Sequence, residues 1–156
     1  MLSKVNSLDS LDLQILTYLS RDARVTWAEL AKHLQLSAPA VAERVRKLEE
    51  NGVIDGYQVQ LNASALGQNL LAFVAVSLRD LRQRQALLRC ITQHHAILEC
   101  HHTTGSDDYF LKVRVGNTTE LEALLTNELK RVAPSVRTHS TIVLSSLKET
   151  VLQVQP

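Results

Sequence analysis

Of six histidines and two cysteines, His94, His95, Cys100, His101, His102 and His139 stand close enough in the chain to suggest a metal. The pattern does not support one. There is no C-x2-C pair, and His101 and His102 are neighbours on an extended segment, so their side chains point to opposite sides. No metal site is expected. Asp107 and Asp108 are the other suggestive pair. Two carboxylates can share acid–base work, yet the chain supplies no partnered nucleophile, phosphate-cradling glycine loop or cofactor fingerprint beside them. Neither a catalytic residue nor a cofactor is expected, and binding is the better role for these side chains.

The elements that carry binding chemistry are clearest between Thr26 and Gly52, TWAELAKHLQLSAPAVAERVRKLEENG. Thr26 caps a first helix, with Glu29 three residues on to close a capping box. Leu30, Ala31 and Leu34 recur at helical spacing. Ser37 then caps a second helix, and Pro39 falls in its first turn, where a missing N–H costs nothing. Val41, Val45 and Leu48 line one face, and Gly52 stands where a left-handed C-cap belongs. Two short helices joined by a tight turn are either an ordinary helical hairpin or a helix-turn-helix, whose second helix enters the DNA major groove. The flanks favour the latter. Leu8, Leu11, Ile15, Leu16 and Leu19 stripe a preceding helix, and Val53 to Leu61 is expected as a short strand or hairpin turning at Asp55-Gly56. Three helices followed by a small β element make the winged form. Double-stranded DNA is the expected partner. Ser37, Ala38, Pro39, Ala40 and Arg44 are expected at the groove, with Arg46 or Lys47 near the backbone.

Composition fits, with one tension. The chain has 156 residues, 45% of them hydrophobic, and no apolar run of the roughly 20 residues a membrane span needs. Two cysteines make no disulfide framework, and the start lacks a signal-peptide stretch, so a cytoplasmic, nucleoid-associated protein is expected. Net charge is only +1, and residues 1–60 hold seven Lys/Arg against eight Asp/Glu. A weakly charged subunit binds DNA well when several copies engage it together.

The second half suggests how copies assemble. LLAFVAVSL alternates on both faces, with Leu70, Ala72, Val74, Val76 and Leu78 on one and Leu71, Phe73 and Ala75 on the other. A helix follows over about 82–94, with Leu88 and Ile91 inward. Two strands, 97–104 and 109–115, then flank a Gly105-Ser106-Asp107-Asp108 turn. A helix over about 119–132 and a strand over 136–144 complete a βαββαβ, ferredoxin-like order. Two helices cover one sheet face. Leu71, Phe73 and Ala75 on the other are expected to meet the same face of a second copy in a two-fold dimer.

Together these residues carry a family resemblance. It rests on Leu8-Asp9, Asp12, Ile15-Leu16 and Arg24, and on Leu36-Ser37, Val41, Arg44-Val45, Leu48-Glu49, Gly52-Val53-Ile54 and Gly56-Tyr57. In the second half it rests on Gly105, Asp108-Tyr109, Leu111, Val113 and Val115. The chain resembles the leucine-responsive regulatory protein/asparagine-synthase regulator (Lrp/AsnC) family from Leu8 to Lys148. The resemblance implies an α+β chain: a winged helix-turn-helix over 1–61, a linker over 62–68 and a ferredoxin-like effector and oligomerisation domain over 69–156. It implies dimers, often assembled further into tetramers or octamers, and an amino acid bound between subunits near the glycine–aspartate loop. The corresponding residues are His102, Thr104, Gly105, Ser106, Asp107, Asp108 and Tyr109. Gly105 permits close approach, an aspartate can meet the ligand's ammonium, and loop N–H groups can meet its carboxylate. Alternatively, Gly105 and Asp108 only shape a turn. His102 departs from the family's usual aliphatic residue and makes a polar or acidic ligand at least as suitable as leucine. The function expected is a sequence-specific DNA-binding transcriptional regulator tuned by an amino-acid-like effector. The alternatives are an amino-acid-binding module and an effector-independent architectural DNA-binding protein.

Overall fold

The computed structural model describes residues 8–150, which divide into two compact units, one reaching Gln60 and joined by 148–150, the other spanning Leu61–Leu147. In the first, three helices form: α1, Ser10–Arg21; α2, Trp27–Leu34; and α3, Ala38–Glu50. Each begins on a capping side chain. Asp9 and Asp12 close a capping box on α1, Thr26 and Glu29 close one on α2, and Ser37 accepts from the Ala40 N–H at 3.3 Å. Such caps satisfy amides that the first helical turn leaves without carbonyl partners. Ile15, Leu30 and Val41 are fully buried at the centre of the three-helix core, with Val45 and Leu48 beside them. Each such side chain contributes roughly 1.5–3 kcal/mol relative to exposure.

The strand or hairpin expected over Val53–Leu61 does not form within the chain. Gly52, left-handed at φ 68°, ends α3, and the next two amides, Val53 and Ile54, both donate back to the Leu48 carbonyl at 2.9 and 3.2 Å. Those donors cannot also pair with residues 57–61. Ile54 is drawn against the helical core, whereas Val59 and Leu61 stay 82% and 67% exposed. The segment expected as a linker contains one 3-10 turn, Ser64–Leu66.

The second unit has the expected order. Strand β1, Leu70–Leu78, is followed by α4, Arg84–Gln93; then come β2, Ile97–His102, and β3, Tyr109–Val115. A helical stretch follows as α5, Thr118–Ala123, a π-helical segment, Leu124–Leu129, and α6, Lys130–Val132; β4, Val136–Ile142, closes the fold. The strands are antiparallel neighbours in the order β2-β3-β1-β4. The pairing of β2 slips between Ile97 and Glu99. Ala72, Val74, Val76, Leu111 and Val113 point to the helices and are fully buried. On α4 the inward pair is Leu87 and Ile91, four residues apart; Leu88, expected inward, is only partly buried. The π-helical segment was not expected. Its wider turn brings Leu124 and Leu129, five apart, onto one buried side.

The opposite sheet face carries Leu71, Phe73 and Ala75, as expected. Phe73 stacks on Phe110 of β3 with ring centroids 5.6 Å apart. Around this pair the register places Lys112 and Thr141 opposite Phe73, and His139 opposite Ala75. Phe110, 41% exposed, is apolar surface the sequence reading omitted.

Candidate DNA-binding face and effector loop

The start of α3 presents small side chains. Ser37 caps, Pro39 sits in the first turn, and Ala38 and Ala40 are half-buried, so backbone can come close to whatever faces it. The basic residues further along are not free. Nη1 of Arg44 lies 2.7 Å from both Asp9 and Asp12. Arg46 contacts Glu43 through Nε and Nη2, at 3.0 and 2.7 Å, and Glu50 through Nη1. Lys47 lies 3.7 Å from Glu43. The Asp12 amide and the Arg44 guanidinium hold the Asp9 carboxyl below its usual range, and hydrogen bonds to Asp9 and Asp12 raise Arg44 in turn. Ion pairs at least partly open to solvent are individually weak, so a DNA phosphate can displace the carboxylates at small cost. Arg44 thus has a structural partner that the sequence reading did not give it. It ties the middle of α3 to the capping box of α1, with Nε and Nη2 left over.

In the second unit, the loop 103–108 is stitched to the end of β1. The Asp108 amide donates to the Val76 carbonyl at 2.9 Å, and Asp108 Oδ2 accepts from the Leu78 amide at 2.7 Å. The Ser77 hydroxyl donates to Asp107 Oδ1, and the Ser106 hydroxyl to Asp107 Oδ2 at 3.2 Å. Thr103 closes the loop, its hydroxyl on the Asp107 carbonyl at 2.6 Å and its amide on the Asp108 carbonyl at 3.0 Å. Asp107 is therefore engaged through both oxygens, whereas Asp108 keeps Oδ1. The amides of Thr104, Gly105 and Ser106 meet no acceptor among the described residues, and all three residues are exposed. Three exposed donors and one carboxylate oxygen match the two ends of a free amino acid. Gly105 departs from expectation: its φ is not in the left-handed region, and a Cβ there would meet nothing within 4 Å. The backbone does not itself require glycine.

Tyr109, just past the loop, is 4% exposed. Its ring lies 5.3 Å from that of His102, and its hydroxyl accepts from Arg84 Nε at 2.6 Å. Arg84 opens α4, and the sequence reading missed it because no local pattern links residues 84 and 109. Among the described residues no group of three His, Cys, Asp or Glu side chains could hold a metal, and no helix is long and apolar enough to cross a membrane.

Known proteins match across both units. Residues 8–55 match a winged helix-turn-helix DNA-binding family, and residues 71–152 match the Lrp/AsnC ligand binding domain. The HTH-type transcriptional regulator LrpA of Mycobacterium tuberculosis is 37% identical over 140 residues, 90% of this chain and 92% of that protein. A feast or famine regulatory protein from M. tuberculosis complexed with L-methionine superposes with a TM-score of 0.87 at 35% identity, covering 96% and 100% of the two chains. A transcriptional regulator from Neisseria meningitidis, also in an L-methionine complex, gives 0.87 at 26% identity over 96% and 97%. With an N-terminal helix-turn-helix and a C-terminal ligand binding domain matched in sequence and fold, the chain belongs to the Lrp/AsnC family of transcriptional regulators.

Proposed function

We propose that this chain is a sequence-specific DNA-binding regulator that acts as a dimer or higher oligomer and responds to a small amino acid. The observation that carries the reading is the pairing of a Ser37-capped second helix with a loop offering three exposed amides beside the Asp108 oxygen. Ser37, Ala38, Pro39 and Ala40 face the major groove, and Arg44, Arg46 and Lys47 meet phosphates or base edges as their carboxylate partners give way. Two copies join through Phe73 and Ala75, with Phe110 added, because an aromatic pair left uncovered on a sheet face favours burial against its own copy. Leu71, expected there too, is only 7% exposed and already covered within the chain. The ligand's carboxylate meets the amides of Thr104 to Ser106 and its ammonium meets Asp108. The L-methionine complexes of the two similar structures support an amino acid as its class.

One observation favours the effector-independent alternative: both oxygens of Asp107 are already used to shape the turn. A gel shift with fragments from around the protein's own operon, run with each of the twenty amino acids, tests both. Retarded bands whose affinity or spacing changes with one amino acid support the regulator. Bands that no amino acid alters favour the effector-independent reading, and absence of any specific band defeats the DNA assignment.

A further inference from the structure

We propose that His139 makes the face-to-face dimer sensitive to acid, so that protonating its imidazole separates the two copies. The inference rests on the dimer reading above and adds a control which that reading does not contain.

On β4, His139 is exposed and stands directly opposite Ala75; Ala75 has Phe110 on its other side, and Phe110 in turn faces His101. One row across all four strands therefore reads His101, Phe110, Ala75, His139. The adjacent row reads Glu99, Lys112, Phe73, Thr141. A sheet that buries Phe73 and Phe110 against its own copy takes water from His139 as well. A neutral imidazole enters such an interface at modest cost, but its cation needs a carboxylate beside it.

The two histidines differ in that respect. His101 Nε2 lies 3.2 Å from Glu99 Oε2, so a proton on His101 meets a carboxylate of its own subunit. Among the described residues no carboxylate pairs with His139. The other groups on this face do not supply one. Lys112 and Arg114 stand on β3, and Arg137 stands on β4 two residues from His139. Glu99 has its second oxygen on Lys112 at 3.2 Å. Asp107 reaches Ser77, which faces Arg137, but its two oxygens take the Ser77 and Ser106 hydroxyls. β1 brings only apolar side chains and that serine. A second copy presents the same set, richer in cations than in open carboxylates. A charged His139 thus enters the interface unpaired, which opposes assembly. Free subunits hold protons that the dimer excludes, so the dimer is at full strength above about pH 6.5, where an ordinary imidazole is neutral, and weakens as pH falls below it.

Sedimentation velocity of the full chain at pH 7.5 and 5.5, at matched ionic strength, tests this, with circular dichroism reporting that the subunits are folded at both. Each imidazole protonated only in the free subunit weakens the dimer by about ten-fold at pH 5.5, so the two copies of His139 weaken it by up to about a hundred-fold. His139→Gln should dimerise as wild type does at pH 7.5 and lose most of this dependence. His101→Gln should keep it. A wild-type dimer equally stable at both pH values would overturn the inference, as would full dependence in His139→Gln. So would a dimer that tightens at pH 5.5, the sign of a carboxylate of the second copy meeting His139. The dimer reading survives each of those results. A wild-type chain that is monomeric at pH 7.5 defeats the dimer reading, and this inference falls with it.

Discussion

Arg44 donates to Asp12 at 2.7 Å across 32 residues of chain, and the same nitrogen reaches Asp9. The helix expected to enter DNA is thereby fastened to the capping box of the first helix. Removing the arginine should act on both fold and binding. For Arg44→Ala we expect a thermal midpoint lower by less than about 5 °C, because the pair is partly solvent-exposed. Specific DNA binding should fall by about ten-fold, since the same side chain is proposed to face the groove. Calorimetry beside a gel shift at matched salt checks this; wild-type affinity in Arg44→Ala would remove the residue from the interface.

The contribution of this tie should depend on pH with a definite sign. The Asp9 carboxyl is held below its ordinary value in the folded chain, so its contribution is full above about pH 4, the unfolded value, and is lost as pH falls through the lower folded value. The difference in midpoint between wild type and Arg44→Ala should hold from pH 7 to 5 and close below about pH 4. A gap that widens on acidification would contradict the assignment.

Lys47 lies 3.7 Å from Glu43, and its proposed role is a contact to the DNA backbone. Lys47→Ala should weaken specific and random DNA alike and reduce the salt slope by about one. Loss confined to the specific site would instead make Lys47 a base reader.

Phe73 and Phe110 stack on the sheet face away from the helices. Phe73→Asp should yield a monomer in light scattering at micromolar concentration, with DNA affinity down by at least about ten-fold, because a buried unpaired charge opposes the interface. A monomeric wild type would end the idea.

Gly105 has open space around it and an ordinary backbone. Gly105→Ala should therefore change stability by no more than about 0.5 kcal/mol, the range for unencumbered surface positions. An effect on ligand response or assembly at unchanged stability would locate the demand for glycine outside the subunit. A destabilised variant would locate it within.

Local order was legible in the sequence because local signals set it. The Thr26–Glu29 box, the Ser37 cap and the Val41–Val45–Leu48 face each lie within a few residues of their partners. Alternation in LLAFVAVSL likewise told both faces of the central strand. What was not legible is long-range or competitive. Asp9 and Arg44 are 35 residues apart, and no periodicity joins them. The expected strand after α3 failed because the Val53 and Ile54 amides had a nearer acceptor in Leu48. In the loop, the type of Asp107 and Asp108 suggested ligand chemistry, but only the fold showed Ser77 and Leu78 already at their oxygens. Arg84 escaped notice for the same reason.

The slip in pairing between Ile97 and Glu99 bears on how copies of this chain can add to one another. β2 is an outer strand, and an outer strand with regular hydrogen-bonding groups is a template for further chains. An irregular stretch bends and twists that rim, and Glu99 sets a charge beside it. Sideways addition of further chains at the β2 edge is thus discouraged, while the aromatic face lies on a different side of the sheet.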